Sequence, residues 1–153
     1  MLLFLDFDGV LHPLGSSPDR LFCRLPALES WLRAHEAVEV VISSTWRVSR
    51  SLDELKSFFA EDLRSRVQGV TPVLRHLDWS EYHEELPPMR FEREDEIRRY
   101  RNSSGQSWRP WSALDDQAWL FRPFCAELVL CDHATGLSEA NLCEVSRHVR
   151  AAC

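Results

Sequence analysis

The chain is almost without lysine: of its 18 basic residues, only Lys56 is not an arginine. The net charge is −6, which excludes a broad basic surface and with it non-specific binding of duplex nucleic acid. The arginines still leave room for a local basic patch. Paired cysteines are also missing. The five present, Cys23, Cys125, Cys131, Cys143 and Cys153, form no CxxC motif and are odd in number. That excludes a disulfide framework or a zinc ribbon and points to reduced thiols in a cytoplasmic protein. Cys125, Cys131 and Cys143 read as small core fillers. No segment approaches the ~18 apolar residues of a membrane span. Met1–Leu5 is apolar but short, has no basic lead and runs straight into Asp6. It reads as a buried strand rather than a signal peptide. There is no repeat, no low-complexity tract and no Gly/Ser-rich linker. One domain over residues 1–153 is the expectation.

Apolar residues make up 44% of the chain, enough for a packed interior. Met1–Leu5 and the β-branched run Val38–Ile42 predict the first two strands. Val67–Thr71, Trp108–Leu114 and Glu127–Leu130 predict three more. Between them, helical spacing appears in Leu25, Leu28 and Leu32, with Pro26 suited to a first turn. A second helix carries Leu52, Leu55, Phe58 and Phe59 behind a Ser51–Glu54 capping box. A third runs from Glu92 to about Arg101, with Ile97 and Tyr100 on one side. A fourth starts near Ser138 and carries Leu142, Val145 and Val149. Residues 73–89 break the pattern and read as a surface excursion or flap, with Trp79, Tyr82 and His83 among acidic neighbours. Strands alternating with helices predict an α/β fold: a doubly wound, Rossmann-like, mainly parallel five-stranded sheet with helices on both faces.

In such a sheet, ligands bind outside the carboxyl ends of the strands. Three predicted strands end in reactive groups: Asp6-Phe7-Asp8, Ser43-Ser44-Thr45 and Asp115–Asp116. If these tips are neighbours, four carboxylates converge. Like charges at that distance raise one another's pKa, and a divalent cation relieves the crowding. Oxygen-only ligands suit Mg²⁺. Residues i and i+2 of an extended segment point to one side, so Asp6 and Asp8 can face one substrate as nucleophile and general acid–base. A bare DxD can equally begin a turn. The apolar strand before it, Gly9 after it and the later Asp pair all favour chemistry.

Phe4-Leu5-Asp6-Phe7-Asp8-Gly9-Val10-Leu11 resembles the first motif of the haloacid dehalogenase (HAD) superfamily, an apolar strand followed by DxDG. Val40-Val41-Ile42-Ser43-Ser44 resembles its second motif, and Ala113-Leu114-Asp115-Asp116 its fourth. His12-Pro13, Ser44–Arg47 and the segment from Leu130 to Leu137 look most like small bacterial HAD domains, including those of RNA-repair proteins. The resemblance implies that Asp6 attacks phosphorus and becomes an aspartyl phosphate. Asp8 would protonate the leaving alcohol and then activate water. Mg²⁺ would be held by the Asp6 carboxylate, the Asp8 carbonyl and Asp115 or Asp116. Ser44 would hydrogen-bond a phosphoryl oxygen, with Ser43 as the fallback and Gly9 beside the substrate. The third motif departs from the usual pattern, a Lys or sometimes an Arg before the acidic pair. Lys56 lies too early, so Arg93 is the choice and Arg90 the second. Any one arginine of this stretch also reads as part of a solvated helix face.

Superfamily members often carry a cap in one of two inter-motif gaps. Here neither gap can fold a large one. The site should then be open, and capless members often act on macromolecules or borrow a partner protein. The substrate class is therefore a phosphorylated small molecule or macromolecular end. His12 is either a site-lining ring or a loop histidine. Trp108, Trp111 and Trp119 read as packing around the acidic pair, and Asp132-His133 as a turn on the same rim or, less simply, as a pair that orients an Arg or the metal ligands. A phosphotransferase with a non-water acceptor and a catalytically silent HAD-like binding module are the alternatives. A phospho-accepting receiver is a poor one, because it needs the acidic pair first and a late Lys.

Overall fold

A computed structural model describes residues 1–74 and 91–151. Trp79, Tyr82, His83, Arg90, Cys153 and most of the 73–89 excursion lie outside the described residues. The strands are β1 (Leu2–Leu5), β2 (Glu39–Ile42), β3 (Val67–Val70), β4 (Trp111–Asp115) and β5 (Leu128–Leu130). All pair in parallel, in the order β3-β2-β1-β4-β5. This is the α/β Rossmann-like sheet read from the alternation of strands and helices, and no large cap stands among the described residues. The helices are α1 (Leu25–Ala34), α2 (Leu52–Ser57), α3 (Glu92–Ser103) and α4 (Glu139–Ala151).

Strand alternation divides the core in two. Leu3, Leu5, Val40, Ile42 and Leu114 face α1, α2 and α4, among Leu28, Leu32, Leu55 and Val145. Burying a leucine such as Leu28 stabilises the fold by roughly 1.5–3 kcal/mol. Trp31 of α1 donates its indole N–H to Ser146 of α4 at 2.8 Å, which ties those helices together. Leu2, Phe4, Val41, Trp111 and Ala113 face the other way, against Ile97 and Tyr100 of α3. The capping box of α2 forms as its sequence predicts.

Four local readings need correction. β4 starts at Trp111, because Pro110 has no N–H for a ladder. Residues Phe58 and Phe59 follow the end of α2, although Phe59 is still buried. Trp108 and Trp119 are not packing residues: they are 78% and 69% exposed, and only Trp111 is buried. Cys143 is exposed on α4 and Cys125 half-buried, so of the three expected fillers Cys131 alone is buried.

Candidate active site

The topology brings the reactive strand ends together. β1 lies between β2 and β4, where the strand order reverses and a crevice opens beyond the carboxyl ends. Leu5 is paired with both Ile42 and Leu114. The next residues outward, Asp6, Ser43 and Asp115, therefore stand at one level. Each also lies two residues beyond a side chain of the α3-facing layer: Phe4, Val41 and Ala113. Alternation sends all three to the α3 side.

Arg93, one residue into α3, meets them there. It is buried, donates to the Ser43 carbonyl, and lies 3.4 Å from Asp6 Oδ2 and 3.5 Å from Asp115 Oδ2. Asp6 Oδ1 accepts the Phe7 N–H at 2.7 Å. Asp116 completes the cluster. Gly9, at φ +72°, passes so close that an added Cβ would lie 2.2 Å from Asp116 Oδ2, so only glycine suits this turn.

Oxygens of Asp6, Asp115 and Asp116 lie within 4.8 Å of one another. Burial, then the charge of Asp6, pushes Asp115 up to about 7 despite Arg93. The same two causes raise Asp116. One guanidinium cannot balance three carboxylates. Asp115 Oδ2 and Asp116 Oδ1 are moreover buried with no hydrogen-bond partner, an expensive state for a polar atom. An all-oxygen set with two unsatisfied atoms fits a hard divalent cation. Cys131 sits beneath this cluster; burial, then the neighbouring carboxylates, pushes its thiol up to about 12, so it is inert.

Asp8 stands apart. Its side chain does not join the acidic cluster but takes a hydrogen bond on each oxygen, from His12 Nε2 at 3.0 Å and from Trp46 Nε1 at 2.8 Å. Ser44 is buried and caps the turn Thr45–Val48, accepting the Trp46 N–H at 3.4 Å. Asp132 accepts the Ala134 N–H, so Asp132-His133 forms the turn expected of it.

A cleft of about 340 Å³ opens on the cluster, lined by Asp6, Asp8, Leu14, Thr45, Arg47, Glu92, Arg93, Glu96, Gln117 and Leu120. Arg47 binds the carbonyls of Ser43, Ser44 and Thr71 and pairs with Glu96 at 2.6 Å. Burial raises Glu96 and lowers Arg47 from their ordinary values, each against the pull of its partner. Arg47, Glu96 and Trp46 were not singled out as site residues in the sequence. Two signals mark them: Trp46 and Arg47 directly follow the tip of β2, and Glu96 lies one helical turn beyond Arg93.

The sequence model of the family described as HAD domain in Swiss Army Knife RNA repair proteins matches residues 2–142. The chain belongs to this HAD family. Comparison with curated proteins and with solved structures finds no match. Membership agrees with the resemblance of the three motifs and carries with it a HAD-type phosphoesterase or a related function. No helix among the described residues is long and apolar enough to cross a membrane.

Proposed function

We propose that this HAD domain is a Mg²⁺-dependent phosphohydrolase that cleaves a phosphate monoester through an aspartyl phosphate on Asp6. The observation carrying the reading is the buried trio Asp6, Asp115 and Asp116 beneath Gly9, with two oxygens that accept no hydrogen bond and Arg93 alongside. Mg²⁺ held by these carboxylates and the Asp8 carbonyl would supply charge neutralisation at the phosphoryl oxygens. Asp6 attacks phosphorus; the bond to the ester oxygen breaks, and Asp8 gives that oxygen its proton. Water then attacks the phosphorus of the aspartyl phosphate, Asp8 accepts the water proton, and the bond from phosphorus to Asp6 breaks. Free phosphate leaves and Asp6 is again a carboxylate.

Arg93 offsets charge on the transferring group, a role suited to an ever-cationic guanidinium, with Arg90 as the second candidate. Ser43 takes the phosphoryl-donor role ahead of Ser44, because alternation turns it toward Asp6 while Ser44 caps a turn. Gly9 leaves room for the Asp116 carboxylate, and its backbone takes the place beside the substrate. Residues 1–153 act as one catalytic unit, and the cytoplasm is the proposed compartment; the described cysteines are free thiols.

The cleft has no large cap over it among the described residues, and the family's description concerns RNA repair. Both support a phosphorylated macromolecular end as substrate, with a partner protein to close the site. Phosphate release would be measured with Mg²⁺ and with chelator, over small esters and phosphorylated RNA, DNA and peptide ends. Release should require Mg²⁺, favour polymer ends and vanish in Asp6→Asn. Turnover at wild-type rate in Asp6→Asn defeats the mechanism, and a strong preference for small esters defeats the substrate class. Added alcohols test the phosphotransferase alternative: phosphorylated alcohol as the main product would make water the minor acceptor.

A further inference from the structure

Asp8 is exposed to the cleft, yet both its oxygens are held from behind. His12 is 1% exposed, and its Nδ1 accepts the Phe22 backbone N–H at 3.3 Å. The ring proton is therefore on Nε2, which faces Asp8 Oδ1 at 3.0 Å. Trp46 can only donate, and its Nε1 reaches Asp8 Oδ2 at 2.8 Å. The two rings cannot easily turn. Phe22 packs edge-on against both, Phe7 and Phe58 abut Trp46, and Arg50 lies 4.2 Å over the indole.

We infer that His12 and Trp46 are positioning residues that fix the plane of the Asp8 carboxyl and hold it facing the cleft. This rests on the reading of Asp8 as the general acid–base. Each Asp8 oxygen has a second lone pair beyond the one its clamp occupies. Neither clamp can take a proton from Asp8: the indole has no acceptor, and the His12 acceptor nitrogen is engaged by Phe22. Neither clamp therefore competes with water or the leaving-group oxygen for that proton. His12 is no relay to solvent, although an Asp–His pair invites that reading.

The test is a set of double-mutant cycles, measured on an alkyl phosphate and on an aryl phosphate with a good leaving group. Trp46→Phe keeps the ring and deletes the donor; His12→Gln keeps a donor on a flexible chain; His12→Ala removes it. A misaligned acid–base should lower kcat on the alkyl ester by roughly 10–100-fold in Trp46→Phe and His12→Ala, with KM little changed. The loss should be smaller on the aryl ester, which needs less protonation, and His12→Gln should recover part of it. In an Asp8→Ala background the same substitutions should add nothing. Equal losses on both esters, or undiminished losses without Asp8, would mean that the rings only support the fold. A His12→Gln variant no faster than His12→Ala would mean that a donor to Asp8 is not what His12 supplies, and would overturn the inference. Wild-type activity in Asp8→Ala would instead overturn the general acid–base role itself.

Discussion

The two faces of the sheet are built on different principles. Toward α1, α2 and α4 the core is overwhelmingly apolar, from Leu3 and Val40 to Leu28, Leu55 and Val145, with the buried polar Ser112 hydrogen-bonded to His148 of α4. Toward α3, the described apolar cluster holds only seven buried residues, and α3 itself buries Arg93, Glu94 and Glu96 beside Ile97. Those charges are used. Arg93 meets Asp6 and Asp115, Glu96 meets Arg47, and Glu94 takes Arg98, Arg122 and the Arg122 N–H. One face holds the strands in register, and the other delivers charge to their tips. Buried pairs contribute little net stability, so this second face is shaped for the site more than for the fold.

That contrast can be broken from either side. Arg93→Gln should lower kcat/KM by roughly 100–1,000-fold, the scale of losing one directed electrostatic stabiliser, in a steady-state assay. Folding should suffer less, because the substitution also removes a buried cation. Leu28→Ala should do the reverse: it should cost about 2–5 kcal/mol in urea unfolding and leave kcat nearly intact. If Leu28→Ala abolished turnover in folded protein, or Arg93→Gln mainly unfolded it, the division of labour would be wrong.

The acidic cluster offers a pH test. Asp115 has a folded-state pKa raised to about 7, above its ordinary 3.8. A raised carboxyl contributes stability that is present at low pH and is lost as pH rises through the folded value. In chelator, this contribution should therefore fall between about pH 4 and 7, and Asp115→Asn should flatten that part of the profile in thermal unfolding. Excess Mg²⁺ should restore stability at pH 7. The smallest effect is expected at Phe124, which is fully exposed at φ +63°. Phe124→Asn should raise stability by up to about 1 kcal/mol, since asparagine tolerates this backbone region better.

The parallel strands were legible because strands buried on both faces are continuous apolar runs; Met1–Leu5 and Val38–Ile42 could hardly be anything else. The helices announced themselves through Pro26, the Ser51–Glu54 box and the spacing of Leu142, Val145 and Val149. Reading failed where exposure depends on distant neighbours. Trp108 and Trp119 look like core residues on the page and stand in water in the fold. His12 was open between two readings because its partners are decided by how a loop folds back: Phe22 is ten residues on, and Asp8 lies across the turn.

The linear chain determined the chemistry on offer: an aspartate pair around one phenylalanine, a glycine behind it, a late acidic pair, and arginine where lysine is nearly absent. These are matters of residue type and short spacing, which survive without a fold. Tertiary structure decided which carboxylates crowd together and which is set apart. Asp6 and Asp8 are two residues from each other, yet strand order and alternation join Asp6 to Asp115 and Arg93, more than eighty residues away in sequence. The turn at Gly9 leaves Asp8 to two ring nitrogens, of His12 and Trp46, instead. Electrostatic environment depends on separation in space, and only the packed sheet sets that.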